Sequence, residues 1–74
     1  MLDAKEMLHD YEVFYRQKNE LLNVIMKTRL DMIKQEDLVI PLTLIEKQYK
    51  AMDDYTKALG LSLALMGVEI PDIE

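Results

Sequence analysis

The sequence contains no cysteine and no tryptophan, and only two glycines, two prolines and one histidine occur among its 74 residues. Without cysteine, neither a disulfide framework nor a thiolate zinc site can form. A β-rich chain of this size needs a turn about every 8–12 residues, which so few glycines and prolines do not supply. The sequence therefore predicts long helices joined by few turns, with 1–74 as a single domain.

Positive charge is scarce, because the chain has nine Lys and Arg residues and fourteen Asp and Glu residues, for a net charge of −5. Nucleic-acid binding depends largely on neutralising phosphates, and no basic run offsets this balance, so we expect no nucleic-acid partner. The longest mostly apolar stretch, 58–68, is about half the length of a membrane span. The N-terminal residues lack the apolar core of a signal peptide. These features predict a cytoplasmic protein that binds no membrane.

The first predicted helix covers about 3–34. Asp3 is a suitable N-cap, and Glu6 follows three residues later, as in a capping box. Neither Gly nor Pro interrupts the segment. At 100° per residue its apolar side chains fall within one arc of about 140°. That arc contains Ala4, Met7, Leu8, Tyr11, Phe14, Tyr15, Leu21, Leu22, Ile25, Met26, Met32 and Ile33.

The segment 35–42 is predicted to connect the two helices, because Pro41 withholds an N–H and disfavours helix at the residue before it. Its four large apolar residues are unusual for a solvated loop, and we expect them to cover the open end of the helix pair as a hydrophobic plug. These residues are Leu38, Val39, Ile40 and Leu42.

The second predicted helix covers about 43–66 and begins at a capping box formed by Thr43 and Glu46. Gly67 suits the left-handed residue that ends a helix, with Val68 packing back on Leu63. The segment 68–74 is then an acidic tail, which Pro71 keeps from being helical. The buried stripe of this helix is predicted to be Ile45, Tyr49, Met52, Tyr55, Thr56, Leu59, Leu63 and Met66.

Gly60 is the weak point of the second helix, since a glycine inside a helix costs about 1 kcal/mol relative to alanine. It marks either a close approach of the two helices or a break into a third short helix. The helical phase of the apolar residues across it favours the close approach.

An isolated hairpin does not hide all of this apolar surface. Leu61 and Leu65 point away from Ile45, so the end of the second helix is apolar nearly all round and one partner helix cannot bury it. Two hairpins packed as a four-helix bundle would, and twofold dimers are the commonest oligomers. We therefore expect an antiparallel helical hairpin that dimerises, although a hetero-complex would serve the same purpose.

Two basic residues, Lys18 and Arg29, fall within the apolar arc of the first helix. Their stems are expected to lie along the apolar surface while the charged ends reach water, Asp53, Asp54 or Glu46. A second interpretation is that they fix register and partner choice. The aromatic residues likewise have two interpretations, which are core packing and recognition of a partner.

Little in the sequence points to catalysis or metal binding. Glu6 and His9 have the Glu-x-x-His spacing of carboxylate-bridged di-iron proteins, but those sites need two such motifs and two further glutamates. Cysteine, a glycine-rich loop and a Ser-His-Asp set are all missing. We expect no enzyme activity, metal, cofactor or small-molecule substrate.

The leading functional prediction is a protein-binding module: a homodimeric accessory or regulatory protein, of the type encoded by phages or mobile elements, that modulates or inhibits a larger protein. The alternative is an obligate small subunit or an assembly or secretion co-chaperone stabilised by a hetero-partner. The acidic tail is interpreted either as a frayed end or as a segment that docks on a partner. The predicted partner interface consists of Tyr11, Phe14, Tyr15, Lys18, Arg29, Tyr55, Leu61, Leu65, Met66, Val68 and Ile70.

Overall fold

The fold is a pair of antiparallel helices. The computed structural model describes residues 3–70, which form α1 (Ala4–Arg29), one turn of 3-10 helix (Gln35–Asp37) and α2 (Leu42–Leu65). The two long helices pack against each other in a hairpin that is 44 Å long, and no strand occurs between residues 3 and 70. The predicted all-α hairpin is confirmed, and its pairing into a four-helix bundle stays a prediction.

The beginning of α1 is capped as the sequence predicts. Asp3 is in an extended conformation, and its Oδ1 atom accepts a hydrogen bond of 2.9 Å from the backbone N–H of Glu6. This bond satisfies one of the N–H groups that the first helical turn leaves without a partner.

The end of α1 comes earlier than predicted, at Arg29 instead of about residue 34. Asp31 has a left-handed backbone with φ 59°, and its N–H donates to the carbonyl of Thr28 at 3.1 Å. The N–H of Met32 donates to the carbonyl of Lys27 at 2.8 Å. This pair of bonds is a Schellman motif, which usually has glycine at the left-handed position. Asp31 did not predict this motif, because Asp is tolerated at the left-handed position only as a second choice.

The capping box predicted for α2 is wrong, since Thr43 lies inside the helix and does not cap it. The helix begins at Leu42, and the carbonyl of Pro41 accepts the N–H groups of Leu44 and Ile45 at 3.0 and 3.2 Å. No side chain caps this end. Proline is acceptable here because its missing N–H would have had no helical partner.

The two helix starts give a direct test of these assignments. We expect Asp3→Ala to lower the free energy of unfolding by about 1 kcal/mol, because it removes the side-chain bond to Glu6. Thr43→Ala should change it by less than about 0.5 kcal/mol, since an exposed residue outside a cap contributes little. Urea unfolding of both variants measures the difference, and Asp3→Asn, which keeps the cap, is the control. A larger loss for Thr43→Ala than for Asp3→Ala would contradict both assignments.

The core is a short line of residues between the helices. Its buried apolar residues are Ile25 of α1 and Ile45, Leu59 and the fully buried Leu63 of α2. Two threonines, Thr28 and Thr56, are also buried. Each donates its hydroxyl proton to the carbonyl four residues earlier, at 2.7 and 2.6 Å, so neither needs a partner from the other helix.

The two glycines have different roles, and both were predicted. The helix continues through Gly60, where an added Cβ atom would lie 3.3 Å from Cε2 of Tyr11, so glycine permits the close approach of α1. Gly67 has φ 75°, and the N–H of Val68 donates to the carbonyl of Leu63 at 3.0 Å in a second Schellman motif.

The connection does not form the complete hydrophobic plug that the sequence predicts. Leu38, Ile40 and Leu42 are half-buried, but the side chain of Val39 is 100% exposed. Residues in an extended segment point alternately to opposite sides, so when Leu38 and Ile40 turn inward, Val39 must turn outward.

Candidate protein-interaction surface

Two ion pairs join the helices, and they occupy both basic residues that the sequence placed within the apolar arc. Nζ of Lys18 lies 2.9 Å from Oδ1 of Asp53, with the side chains only 15% and 18% exposed. Near the turn end of the hairpin, Arg29 contacts Glu46 at 2.7 Å in a more exposed pair. These are two of the partners that the sequence proposed. Lys18 and Arg29 therefore both pair with carboxylates of α2 inside the chain.

Asp53 is the centre of a small charge cluster, because Lys57 also contacts it at 2.9 Å. The hydrogen bond from Lys57, and then the one from Lys18, lower the pKa of Asp53 below its ordinary value of 3.8. The bond to Asp53 in turn raises the pKa of Lys57 above 10.5. The carboxylate of Asp53 is therefore paired with two lysines of the same chain.

The lowered pKa predicts how stability depends on acid. A carboxyl whose pKa is lower in the folded state stabilises that state at high pH, and the stabilisation is lost as pH falls below 3.8 and through the folded-state pKa. We expect Tm to fall over that range, and Asp53→Asn to flatten this part of the profile. Thermal melts between pH 2 and 6 measure it, with Asp54→Asn as the same change at the neighbouring exposed position. Equal profiles for Asp53→Asn and the unchanged chain would contradict the prediction.

The aromatic residues predicted for a partner interface pack mainly within the hairpin. The rings of Phe14 and Tyr55 meet edge to face with centroids 5.0 Å apart. Those of Tyr11 and Tyr15 lie 5.8 Å apart in a tilted arrangement, and Nζ of Lys18 is 4.9 Å from the Tyr15 centroid. The contact between Phe14 and Tyr55 joins the two helices, and the other two contacts lie within α1. Tyr55, unlike the other three, remains exposed and keeps surface for a partner.

The C-terminal half of α2 leaves apolar surface in water, as the sequence predicts. Leu61 is 69% exposed and Leu65 90% exposed, and Met66 is exposed beside them. Leu61 and Leu65 are four residues apart and therefore neighbours on one side of the helix. The hairpin itself does not enclose them.

A second group of exposed apolar side chains lies at the turn end of the hairpin, and sequence reasoning did not include it in the interface. These residues are Met26, Leu30, Met32, Val39 and Leu44. Met26 and Met32 were assigned to the buried stripe of the first helix and Val39 to the plug. All three assignments are wrong, since Met26 lies on an exposed side of α1, Met32 lies beyond the end of α1 at Arg29, and Val39 points outward from the connection.

The described part of the tail lies against the chain itself. Val68 and Ile70 are half-buried, and Cδ1 of Ile70 lies 3.8 Å from the position that a Cβ atom of Gly60 would take. Both had been placed in the partner interface, and the structure uses them to cover α2. The predicted acidic and proline-containing part of the tail, 71–74, lies outside the described residues.

The polar residues singled out by the sequence do not converge. Glu6 and His9 are exposed on the first turns of α1, and no group of three metal-ligating side chains occurs in the part of the chain that the structure covers. Neither helix between residues 3 and 70 combines the length and the hydropathy needed to cross a membrane. The described surface therefore has apolar side chains at the two ends of the hairpin and charged side chains along α2.

Comparison with protein-family models, with curated proteins and with solved structures finds no match to this chain.

Proposed function

We propose that this chain is a non-enzymatic protein-binding module that works as a homodimer and modulates, for instance by inhibition, a larger protein. The observation that supports this proposal is the exposure of Leu61 and Leu65 on a helix whose other side is buried. Clustered apolar surface of this kind on a small chain marks interaction sites. A second copy is the partner that every molecule of the chain has available.

The charge of the chain suggests the kind of target. The net charge is −5, and Glu20, Asp31 and Asp54 are exposed carboxylates. An acidic surface steers association with a basic one, such as the nucleic-acid site of an enzyme. Asp53 does not contribute, because Lys18 and Lys57 neutralise it. Small, acidic inhibitors of this type suit a phage or mobile element, which is the class of accessory protein that we propose.

A second candidate function is an obligate small subunit or co-chaperone that is stable only with a hetero-partner. The exposed apolar residues of the turn end favour it, because Leu30, Met32 and Val39 lie far along the hairpin from Leu61 and Leu65. Two separate apolar areas can contact two different chains. The two candidates differ in what the isolated chain does.

Sedimentation and thermal melting of the purified chain separate the two candidates. A homodimer sediments at twice the chain mass and melts cooperatively, with a Tm that rises with protein concentration because dissociation accompanies unfolding. A monomer that melts with little cooperativity would favour the obligate subunit. A stable, cooperatively melting monomer at high concentration would overturn both.

A further inference from the structure

The charges of α2 follow a seven-residue pattern that leaves four of the seven positions free of charge. The six charged residues, Glu46, Lys47, Lys50, Asp53, Asp54 and Lys57, fall on only three positions of the heptad. The uncharged positions form two lines, each with alternating spacings of four and three residues. Such spacing is the sign of a helix–helix seam.

The two lines have different surroundings in the hairpin. The inner seam packs on α1 and contains Ile45, Tyr49, Met52, Thr56, Leu59 and Leu63, four of which are buried. The outer seam contains Leu44, Gln48, Ala51, Tyr55, Ala58, Ser62 and Leu65. All of these except the half-buried Ser62 are exposed.

The angle between the two seams indicates which position in a helical bundle the outer seam faces. From Leu44 to Ser62, each outer-seam residue precedes an inner-seam residue by one position, so the two lines lie about 100° apart around the helix. In a four-helix bundle each helix has two neighbours, roughly at a right angle. α1 is one neighbour of α2, and the outer seam faces the place of the second.

We propose that a second copy of this chain occupies that place, with its α2 antiparallel along the outer seam of the first. This inference rests on the homodimer proposed above and adds the surface, the direction and the register. The twofold axis passes level with Asp53, so that Leu44 faces Ser62 of the second copy. In the same register Gln48 faces Ala58, and Ala51 faces Tyr55.

The sizes of the side chains favour this register. Each of the three layers pairs one large residue with one small residue, which lets two helices approach evenly along their length. A parallel pairing would place each residue against its own copy. Tyr55 would then face Tyr55, between alanine layers at Ala51 and Ala58, and the rings would hold the alanine layers apart.

The ends of the hairpin agree with the same direction. The two most exposed large apolar side chains, Val39 at 100% and Leu65 at 90%, lie at opposite ends of the molecule. Antiparallel pairing places Leu65 level with Pro41 of the second copy, two residues from its Val39. The apolar ends of the two copies therefore meet.

Cysteine cross-linking tests the geometry directly, because the chain has no cysteine of its own. Gln48→Cys and Ala58→Cys are gentle changes at exposed positions. When the two variants are mixed and mildly oxidised, we expect a disulfide-linked dimer that contains one of each, identified by mass. Each variant alone should form none, since its two cysteines would be about 15 Å apart along the helix direction, beyond the Cα separation that a disulfide spans. As the control, Gln17→Cys, which lies on the exposed side of α1, takes the place of either variant in the mixture.

The outcomes separate this inference from the proposed function. Mixed disulfides alone support the antiparallel seam. Dimers linked between two copies of the same variant would show a parallel pairing and overturn it. A chain of twice the monomer mass that forms no cross-link would also overturn the seam, while the homodimer would stand. A monomer would overturn both.

Discussion

Replacing Leu63 with alanine is expected to lower the free energy of unfolding by about 2–5 kcal/mol, the range for truncating a fully buried leucine. Leu63 has no exposed surface, and it lies where the inner seam of α2 packs on α1. The hairpin has only six buried residues between 3 and 70, so a cavity there removes a large part of the whole core. Urea unfolding followed by circular dichroism measures the loss, and we expect the variant to be largely unfolded at 37 °C.

Leu61→Ala is the matched control, because it is the same change two residues earlier in the same helix. Leu61 is 69% exposed, so the substitution opens no cavity and should cost less than about 1 kcal/mol. Both variants are compared at a protein concentration where the sedimenting species is a monomer, which removes any contribution from association. Equal losses for Leu61→Ala and Leu63→Ala would show that the inner seam is assigned wrongly.

The double variant Leu61→Asp and Leu65→Asp is expected to convert the homodimer to a monomer. Leu65 lies on the outer seam and Leu61 lies beside it, so the substitutions would place carboxylates in and at the edge of an apolar interface, where an unpaired buried charge is strongly unfavourable. Both side chains are already exposed in the hairpin, so the fold of the single chain should persist. Analytical ultracentrifugation measures the mass, and circular dichroism shows whether the helices remain.

The control for charge is Asn19→Asp with Asn23→Asp, which adds the same two charges at the same four-residue spacing. Both asparagines are exposed on α1, so the mass should not change. A second pair of substitutions, Leu61→Lys and Leu65→Lys, distinguishes loss of the interface from destabilisation of the helix. Cations near a helix C-terminus are favourable, whereas Asp there is not. This second pair should dissociate the dimer as well. A dimer that survives both leucine double variants would rule out this end of α2 as an interface.

Much of the hairpin follows from local features that the sequence displays. Asp3 caps α1 and Gly67 ends α2, because each supplies a backbone or side-chain property that few other residues have. That Lys18 and Arg29 would reach water or one of the carboxylates Asp53, Asp54 and Glu46 was also predictable, since a charge within an apolar arc must reach an opposite charge or water. The exposure of Leu61 and Leu65 followed from their angle to Ile45.

The failed predictions share a cause, which is that several residue types can satisfy the same backbone geometry. Asp31 takes the left-handed position that usually requires glycine, so α1 ends five residues early. Thr43 is a good cap by type, but Pro41 begins α2 first. The early stop left Leu30 and Met32 outside α1 in the exposed group at the turn end. No pattern in the sequence marks it.

By itself the sequence determined the helical class, the two amphipathic stripes and the presence of more apolar surface than a hairpin hides. These depend on residue spacing, because a helix carries a fixed angle of about 100° per residue wherever it lies. The tertiary structure decided where each helix stops, which lysine meets which carboxylate, and that Val39 and Leu65 are left uncovered at opposite ends. Those outcomes depend on how two particular surfaces fit together, and the energies that separate the alternatives are comparable to a single hydrogen bond or cap.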